Sequence, residues 1–330
     1  GPGADEIVAP GEQREGIVST EVVQVFDDEL AIEGRHHALQ RRDLAVRKDV
    51  ARHPRVDAGA VVCASPGEAA ASASHVILLV WDEAALHAVL EGADGLLAHA
   101  ASGQVFIDMS TQLPTTARAT ARALATQGAL FVDAPVHGTR GEAHSGGLWI
   151  MAGADTAAWQ AALPVLQAVG ATVHHMGPVG AGCAAKLCGN HLVSSIIASL
   201  GESLAMAKKS GLDGRELLKL WGESDFRSPI IEGAGGAMLD GDHAISFHLR
   251  TMVKDTELIR NHSEAIGVPV LISNTVHELN KMAQNLGWGE LNATAIFKLF
   301  ELMGGLVDAA GIPVPAPASG ASVPASAPGR

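Results

Sequence analysis

Short strand-forming segments alternate with alanine-rich amphipathic segments from Leu44 to about residue 178, and this alternation restricts the fold more than any other feature. The predicted strands are Leu44–Val46, Ala60–Val62, Val76–Val80, Val105–Asp108, Leu130–Asp133, Leu148–Met151 and Thr172–His175. One predicted helix begins at the capping box of Ser65 and Glu68. Three others cover Glu83–Leu90, Thr115–Thr126 and Thr156–Val169. Strands and helices in this order predict a mostly parallel sheet with helices on both faces.

After about Gly180 the strand pattern stops and only helical periods remain. They cover Ala181–Lys209, Gly214–Trp221, Ser228–Leu239, Leu249–Ile266, Val270–Asn285 and Asn292–Leu306. We therefore predict an α/β Rossmann-type N-terminal domain followed by an all-α C-terminal domain. The predicted parts are an atypical segment over 1–43, a Rossmann-type domain over 44–178, a helical domain over 179–310, and a flexible Pro/Ala/Ser/Gly-rich tail over 311–330.

The composition excludes several classes of partner. A net charge of −13 disfavours nucleic acid, because phosphate binding needs a basic surface. The longest apolar run, about Val76 to Trp81, is too short to span a membrane, so we expect no membrane partner. Three scattered cysteines form no disulfide framework and favour a reduced, cytoplasmic environment. His174 and His175 lack neighbouring ligands, so we expect no metal site.

The most informative segment for chemistry is Gly177–Val193, a glycine-rich turn that leads into a long helix. Lys186 and Asn190 are four residues apart and share one face of that helix. An ammonium and a carboxamide that project together can both bind a carbonyl or hydroxyl oxygen, and Lys can exchange a proton when burial or a nearby cation lowers its pKa. A lysine that snorkels from a buried helix is the ordinary alternative.

Three further segments carry polar side chains at positions where ligands bind in parallel sheets. His137-Gly138-Thr139 follow a predicted strand end, and glycine there lets backbone amides approach an anion. Ser110 and Thr111 directly follow another strand, where hydroxyl groups more commonly cap a helix than bind a ligand. Lys254-Asp255 lie inside a helical period, where a solvated ion pair is the ordinary interpretation.

These four segments, in this order and at these distances, resemble the β-hydroxyacid dehydrogenase family over roughly residues 44 to 305. The resemblance implies NAD(P)-dependent oxidoreduction of a short 3-hydroxyacid or semialdehyde, with a homodimer or tetramer paired through the helical domain. It implies that Lys186 exchanges a proton with the substrate oxygen and that Asn190 orients it. The substrate contacts that it implies are Ser110, His137, Gly138, Thr139, Phe247 and Asp255.

The loop of His137 departs from the family pattern, which has Ser where this chain has His137 and Gly where it has Thr139. The anion-binding turn is retained, but the pocket should differ in size and could titrate. The identity of the short acid substrate is therefore left open.

The cofactor contacts implied by the resemblance are Asp49, Leu79, Val80, Thr111 and Lys254. Asp49 would bind the ribose hydroxyls of NAD, whereas Arg47, Lys48 and Arg52 could hold the 2′-phosphate of NADP, and we favour NAD slightly. Residues 1–43 lack the Gly-x-Gly-x-x-Gly turn with which the family begins. An altered N-terminal segment, a different nucleotide loop and a lost cofactor site would each explain this.

Two alternatives follow. An imine-reducing relative would share the fold, but that branch generally lacks the lysine, so Lys186 disfavours it. A non-catalytic dimeric scaffold is favoured by the missing glycine turn and disfavoured by Lys186, Asn190 and Lys254.

Overall fold

The computed structural model describes residues 22–26, 44–46, 61–71, 73–308 and 310–314. These residues form two compact units, which are described separately below. The first unit contains the described residues up to Asn190 together with Asn261–Val268, and the second contains His191–Arg260 and the described residues from Pro269 onward. The division thus falls after Asn190, whereas the sequence pattern placed it at residue 178.

The first unit is built on one sheet, in which nine strands are described. In chain order they are β1 (Val22–Phe26), β2 (Leu44–Val46), β3 (Val61–Val62), β4 (His75–Leu79), β5 (Val105–Asp108), β6 (Leu130–Asp133), β7 (Val136–His137), β8 (Leu148–Gly153) and β9 (Gly170–Gly177). Their order across the sheet is β3-β2-β1-β4-β5-β6-β8-β7, and β9 pairs with β8.

Strands β1 to β6 are all parallel, whereas β8 runs antiparallel to β6 and β7 and parallel to β9. The order of β1 to β6 is that of a doubly wound dinucleotide-binding sheet, whose direction of winding reverses between β1 and β4. In such sheets ligands bind beyond the carboxyl ends of the strands at that reversal. The predicted α/β fold class is therefore confirmed.

Strand β1 corrects one prediction, because residues 1–43 were placed outside the Rossmann-type domain. Val22–Phe26 lies inside the sheet and pairs in parallel with β2 on one side and with β4 on the other. The polar residues around this short segment hid the strand in the sequence. Residues 27–43, where the glycine turn was sought, lie outside the described part of the chain.

Helices cover the sheet of the first unit: α1 (Pro66–Ala71), α2 (Glu83–Leu90), α3 (Leu96–His99), α4 (Pro114–Ala125), α5 (Arg140–Ser145) and α6 (Thr156–Val169). Strand β4 shows that the sheet is buried on both faces. Val76 and Leu78 belong to one apolar cluster, and Ile77 and Leu79 belong to another. This double burial explains the continuously apolar strands in the sequence.

The remaining helices are α7 (Ala181–Lys209), α8 (Gly214–Gly222), α9 (Pro229–Asp240), α10 (Leu249–Ile266), α11 (Leu271–Ala283) and α12 (Ile296–Met303). Leu204, Met238, Val276, Ile296 and Phe300 form the centre of the second unit's core. Of the helices in the described residues, α7 alone is long and apolar enough to cross a membrane, and its apolar window is 39% buried. Cys183 and Leu204 pack into the cores of the first and second units, respectively, which explains this hydropathy within the fold.

Two helix ends and the start of the tail differ from the predictions. Helix α11 ends at Ala283 and continues as a π-turn, Gln284–Trp288, in which Gly287 has a φ of 88°. A short 3-10 turn, Ala293–Ala295, precedes α12. Residues 311–314, which were assigned to the flexible tail, fold back instead, because Val307 pairs with Pro313 and the amide of Val314 donates to the Leu306 carbonyl at 3.0 Å.

Candidate functional site

The glycine-rich turn before α7 is held by Asp133, the last residue of β6. The amide of Gly180 donates to Oδ1 of Asp133 at 2.7 Å, and the amide of Cys183 donates to Oδ2 at 2.8 Å. A carboxylate at the first amides of a helix satisfies donors that lack partners inside the helix and interacts favourably with the helix dipole. Asp133 therefore fixes the start of the helix that carries Lys186.

Two glycines let this helix end approach the sheet. A Cβ at Gly153 would lie 2.5 Å from Oδ1 of Asp133, and one at Gly182 would lie 2.6 Å from the Asp133 carbonyl oxygen. Neither distance is compatible with a side chain. Gly180 is required for a second reason, since its φ of 93° lies in the left-handed region. The predicted open turn is thus a tight junction between β6, β8 and α7.

Lys186 and Asn190 lie one and two turns beyond this junction. They are 8% and 7% exposed, so Lys186 does not snorkel to solvent as the ordinary alternative required. Nζ of Lys186 donates to the carbonyl oxygen of Val136 at 2.6 Å and lies 3.4 Å from Nδ1 of His137. The structure therefore brings together the loop after β6 and the helix face of Lys186, two segments that the family resemblance assigned to one site.

The loop that contains His137, Gly138 and Thr139 is more ordered than predicted. His137 pairs with Trp149 as part of β7, and its ring packs against Gly189 of α7. Gly138 has a φ of 122°, and a Cβ there would lie 2.9 Å from Leu148. Both the amide and the hydroxyl group of Thr139 donate to Glu142 at 2.6 Å, which caps α5. These bonds lower the pKa of Glu142, and the substrate contact expected of Thr139 stays a prediction.

Ser110 also has a structural role, while its predicted contact with substrate stays a prediction. It is 1% exposed, and its Oγ accepts a hydrogen bond from the amide of Val80 at 2.9 Å. Its own amide donates to Oδ1 of Asp108 at 2.9 Å. Ser110 therefore ties the carboxyl ends of β4 and β5 together, next to the point where the winding of the sheet reverses.

The neighbours of Ser110 lie in the same loop. Thr111 is partly exposed, whereas Gln112 is 1% exposed. Nε2 of Gln112 has no hydrogen-bond partner among the described residues. A buried amide donor without a partner indicates a place where a polar ligand could bind. A role for Gln112 was not predicted, since nothing in the sequence showed that it would be buried.

Two buried carboxyl groups lie below this edge of the sheet. Asp108 and Asp133 are in register on β5 and β6. Burial is the main cause that raises the pKa of each to about 6. Hydrogen bonds oppose it, from the side chain and amide of Ser110 for Asp108 and chiefly from backbone amides for Asp133. Burial, followed by the charges of Asp133 and Asp108, raises the pKa of Cys183 well above its ordinary range. Cys183 is therefore a neutral thiol and not a nucleophile.

The other predicted residues lie in the second unit, at the end of β4, or outside the described residues. Lys254 Nζ lies 2.9 Å from Oδ1 of Asp255, which is buried, so this pair is not the solvated surface pair of the ordinary interpretation. The amide of Phe247 donates to Oδ1 of Asn292 at 3.1 Å, which fixes the loop before α10. Leu79 and Val80 are buried at the end of β4. Asp49, Arg47, Lys48 and Arg52 lie outside the described residues.

Among the described residues there is no group of three or more His, Cys, Asp or Glu side chains that could hold a metal ion. His175 instead stacks on Trp159, with ring centroids 4.8 Å apart, and hydrogen-bonds through Nε2 to the Ala154 carbonyl oxygen. The groups that the structure offers for chemistry at this site are the ammonium of Lys186, the carboxamide of Asn190 and the backbone of the loop after β6.

Comparison with known proteins agrees with this geometry. A family profile described as the NAD binding domain of 6-phosphogluconate dehydrogenase matches residues 39–177. A second profile, described as the NAD-binding domain of NADP-dependent 3-hydroxyisobutyrate dehydrogenase, matches residues 180–300. The two profiles meet at the glycine-rich turn before α7.

Individual relatives extend over most of the chain. Glyoxylate/succinic semialdehyde reductase 1 of Arabidopsis thaliana is 30% identical over 74% of this chain and 84% of that protein. L-threonate dehydrogenase of Cupriavidus necator is 32% identical over 74% of this chain and 82% of that protein. The fold is also similar to that of 3-hydroxyisobutyrate dehydrogenase of Mycobacterium tuberculosis, solved with L-serine, with a TM-score of 0.74 and 22% identity over 85% of this chain and 99% of that one. The protein therefore belongs to the β-hydroxyacid dehydrogenase family, whose members bind NAD(P).

Proposed function

We propose that this protein transfers a hydride between a nicotinamide dinucleotide and a short 3-hydroxyacid or the corresponding semialdehyde, with Lys186 as the proton donor and acceptor. The main support for this proposal is the buried ammonium of Lys186, which lies at the carboxyl edge of a doubly wound sheet. The cap at Asp133 fixes the start of its helix, and the Val136 carbonyl accepts a hydrogen bond from the ammonium. A lysine kept out of bulk water at such an edge can exchange a proton with a substrate oxygen.

The residues around Lys186 have separate roles in this proposal. When a semialdehyde is reduced, Lys186 gives a proton to the oxygen that becomes the hydroxyl group, and in the reverse direction it takes that proton back. Asn190, one turn further along the same face, donates a hydrogen bond to the same oxygen. The backbone amides around His137 and Gly138, where the chain turns at a glycine with a φ of 122°, are our choice of partner for the substrate carboxylate.

The part of the site that would face the nicotinamide fits a polar ring substituent. The loop after β5 offers Thr111 and the buried, unpartnered amide donor of Gln112, which a carboxamide oxygen would satisfy. Leu79 and Val80 would line the ring from the end of β4. The ring, when bound, accepts or supplies the hydride. Asp49 is our reason for a slight preference for NAD over NADP.

The names of the relatives support the proposed substrate class. The relative from Arabidopsis thaliana is named for glyoxylate and succinic semialdehyde, and that from Cupriavidus necator for L-threonate. All three compounds are short acids with a carbonyl or hydroxyl group. Because His137 and Thr139 differ from the family pattern, we propose the class of short acids and not one particular acid.

The experiment is a turnover assay of short semialdehydes and 3-hydroxyacids with NAD(H) and NADP(H), with cyclic imines included as a comparison. Lys186→Ala should abolish turnover while cofactor affinity, measured from the fluorescence of bound NADH and NADPH, stays within about tenfold. Full activity in this variant would refute the role of Lys186. Preferential turnover of imines would support the imine-reducing alternative, and the absence of saturable cofactor binding would support the scaffold.

A further inference from the structure

The ring of His137 occupies a notch on α7 that exists because residue 189 is a glycine. A Cβ at Gly189 would overlap Nε2 of His137 and would lie 2.6 Å from Cε1. Nδ1 on the other side of the ring lies 3.4 Å from Nζ of Lys186. Residues 186 and 189 are three apart on one helix face. The ring therefore lies along the helix, with Nε2 in the notch at Gly189 and Nδ1 towards Lys186.

The position of His137 is fixed by its backbone as well as by this notch. Val136 and His137 pair with Ile150 and Trp149 of β8, and Gly138 then turns the chain into the capped start of α5. The carbonyl oxygen of Val136 accepts from Nζ of Lys186 at 2.6 Å. Two consecutive residues of β7 therefore face the same ammonium group, one with a carbonyl and one with an imidazole.

The chemistry of the two partners determines who donates. An ammonium group has only donors, so Nδ1 of His137 must be the acceptor, and the neutral ring must carry its proton on Nε2. Val136 and His137 then define two of the three N–H directions of Lys186. Protonation of the imidazole would remove this acceptor and place a second cation beside the ammonium.

We propose that His137 is a positioning residue that orients the ammonium of Lys186 through Nδ1, and that Gly189 is the glycine that makes room for it. The proposal rests on the proposed function, in which Lys186 exchanges the substrate proton. The ionisable groups on the elements around His137 are Cys183, Lys186, Cys188 and His191 in the first three turns of α7 and Arg140, Glu142 and His144 on α5, whereas β8 contributes none. The proton-transfer step should therefore lose rate when His137 becomes protonated.

The first experiment measures kcat and KM against pH in both reaction directions for wild type and His137→Ser. Wild type should lose rate on the acid side within the range in which histidine titrates, about pH 5 to 8, and the variant should lack this acid limb. At high pH the kcat of His137→Ser should be about tenfold to a hundredfold below that of wild type, with the KM for cofactor unchanged, because a proton donor is misplaced while binding is intact. His174→Ser, in an exposed strand position, is the matched control and should keep the wild-type profile.

The second experiment displaces the ring without altering it. Gly189→Ala favours helix formation by up to about 1 kcal/mol, so a loss of rate in this variant would not come from a weakened helix. We expect Gly189→Ala to lower kcat as much as His137→Ser does, and the double variant to be no worse than either single one, because serine leaves room for the new methyl group. Additive losses would overturn the shared role of the two residues.

A third readout is independent of turnover. The Lys186 signal in the NMR spectrum of protein with 13C-labelled lysine, assigned by its loss in Lys186→Arg, should shift with pH in a step that disappears in His137→Ser. An unchanged titration and an unchanged acid limb would overturn the proposal. If wild type turns over none of the acids, the proposed function fails, and the NMR step still decides whether His137 and Lys186 are coupled.

Discussion

Asp108 shows how strongly burial acts on a single side chain in this sheet. Its carboxyl group is almost fully buried beside the equally buried Asp133, and burial is the larger cause that raises its pKa to about 6, with Asp133 adding to it. An acid with a raised pKa in the folded protein favours folding when protonated and costs stability once it ionises. The stability that protonation gives is present at low pH and is lost as pH rises through about 6.

The replacement Asp108→Asn tests this cost, because it keeps an acceptor for the amide of Ser110 and removes the charge. A shift of about two pKa units corresponds to roughly 3 kcal/mol. Between pH 4 and pH 8 the ionisation of Asp108 should lower the free energy of unfolding of the wild type by up to about that amount. The variant lacks this loss, so its stability relative to wild type should rise with pH. Urea unfolding across this range measures it. A difference between the proteins that does not vary with pH would contradict the assignment.

Single residues also show what a sequence can and cannot predict. The helical spacing predicted that Lys186 and Asn190 share one face of α7, and the family resemblance implied that the loop after β6 belongs to the same site. The structural roles of Ser110 and Thr139 were not predictable, since their partners are the amide of Val80, thirty residues away, and a cap on a helix too short to be detected. Hydroxyl groups at strand ends have several possible partners, and only the fold selects one.

At the scale of elements, the start of α7 is the junction on which the proposed chemistry depends. Asp133 accepts from two amides of this helix end, and Gly153 and Gly182 allow the close approach. The bounds of α7, α10, β5 and β6 were predicted correctly because their periodic patterns are long or strongly apolar. Asp133 was seen only as a strand end, because the turn that it caps lies 47 residues further along the chain.

The replacement Asp133→Asn tests the cap. It substitutes an amide donor for one of two acceptor oxygens, so one amide of α7 loses its partner, at a cost of about 1–3 kcal/mol. We expect lower thermal stability and a fall in kcat of about tenfold or more, since Lys186 lies one turn beyond the cap. Asp155→Asn is the control, because Asn caps helices as well as Asp and α6 carries none of the proposed site. Equal effects in the two variants would contradict a special role for Asp133.

At the scale of the whole molecule, the sequence predicted the fold class and the family, but it placed the domain limits imprecisely. The boundary was drawn where strand signals stop, at residue 178, whereas the compact units divide after Asn190, inside α7. A helix that contributes to two cores has one continuous period, so no sequence signal marks the division. Strand β1 was missed for a related reason, because five residues in a polar context carry too little periodic signal.

In the second unit, helix α7 exposes large apolar side chains, and we use them to predict where two subunits meet. Leu192 and Met206 are 62% and 66% exposed and lie fourteen residues apart, which places them about four turns apart on nearly the same helix face. Large apolar side chains along one face of a long helix are typical of a surface that a second subunit covers. We therefore expect a homodimer whose interface includes this face.

The double variant Leu192→Glu and Met206→Glu should convert that dimer to a monomer, because two carboxylates would lose their hydration in the interface without partners. Light scattering coupled to size-exclusion chromatography at micromolar concentrations measures the mass. Met176→Glu, at an exposed apolar position on β9 in the first unit, is the control and should stay dimeric. A wild-type monomer would contradict the expected assembly, and a double variant that remains dimeric would place the interface on another surface. Since Lys186 and Asn190 precede this face on the same helix, a monomer that keeps its cofactor affinity but loses turnover would show that subunit contact holds α7 in its productive position.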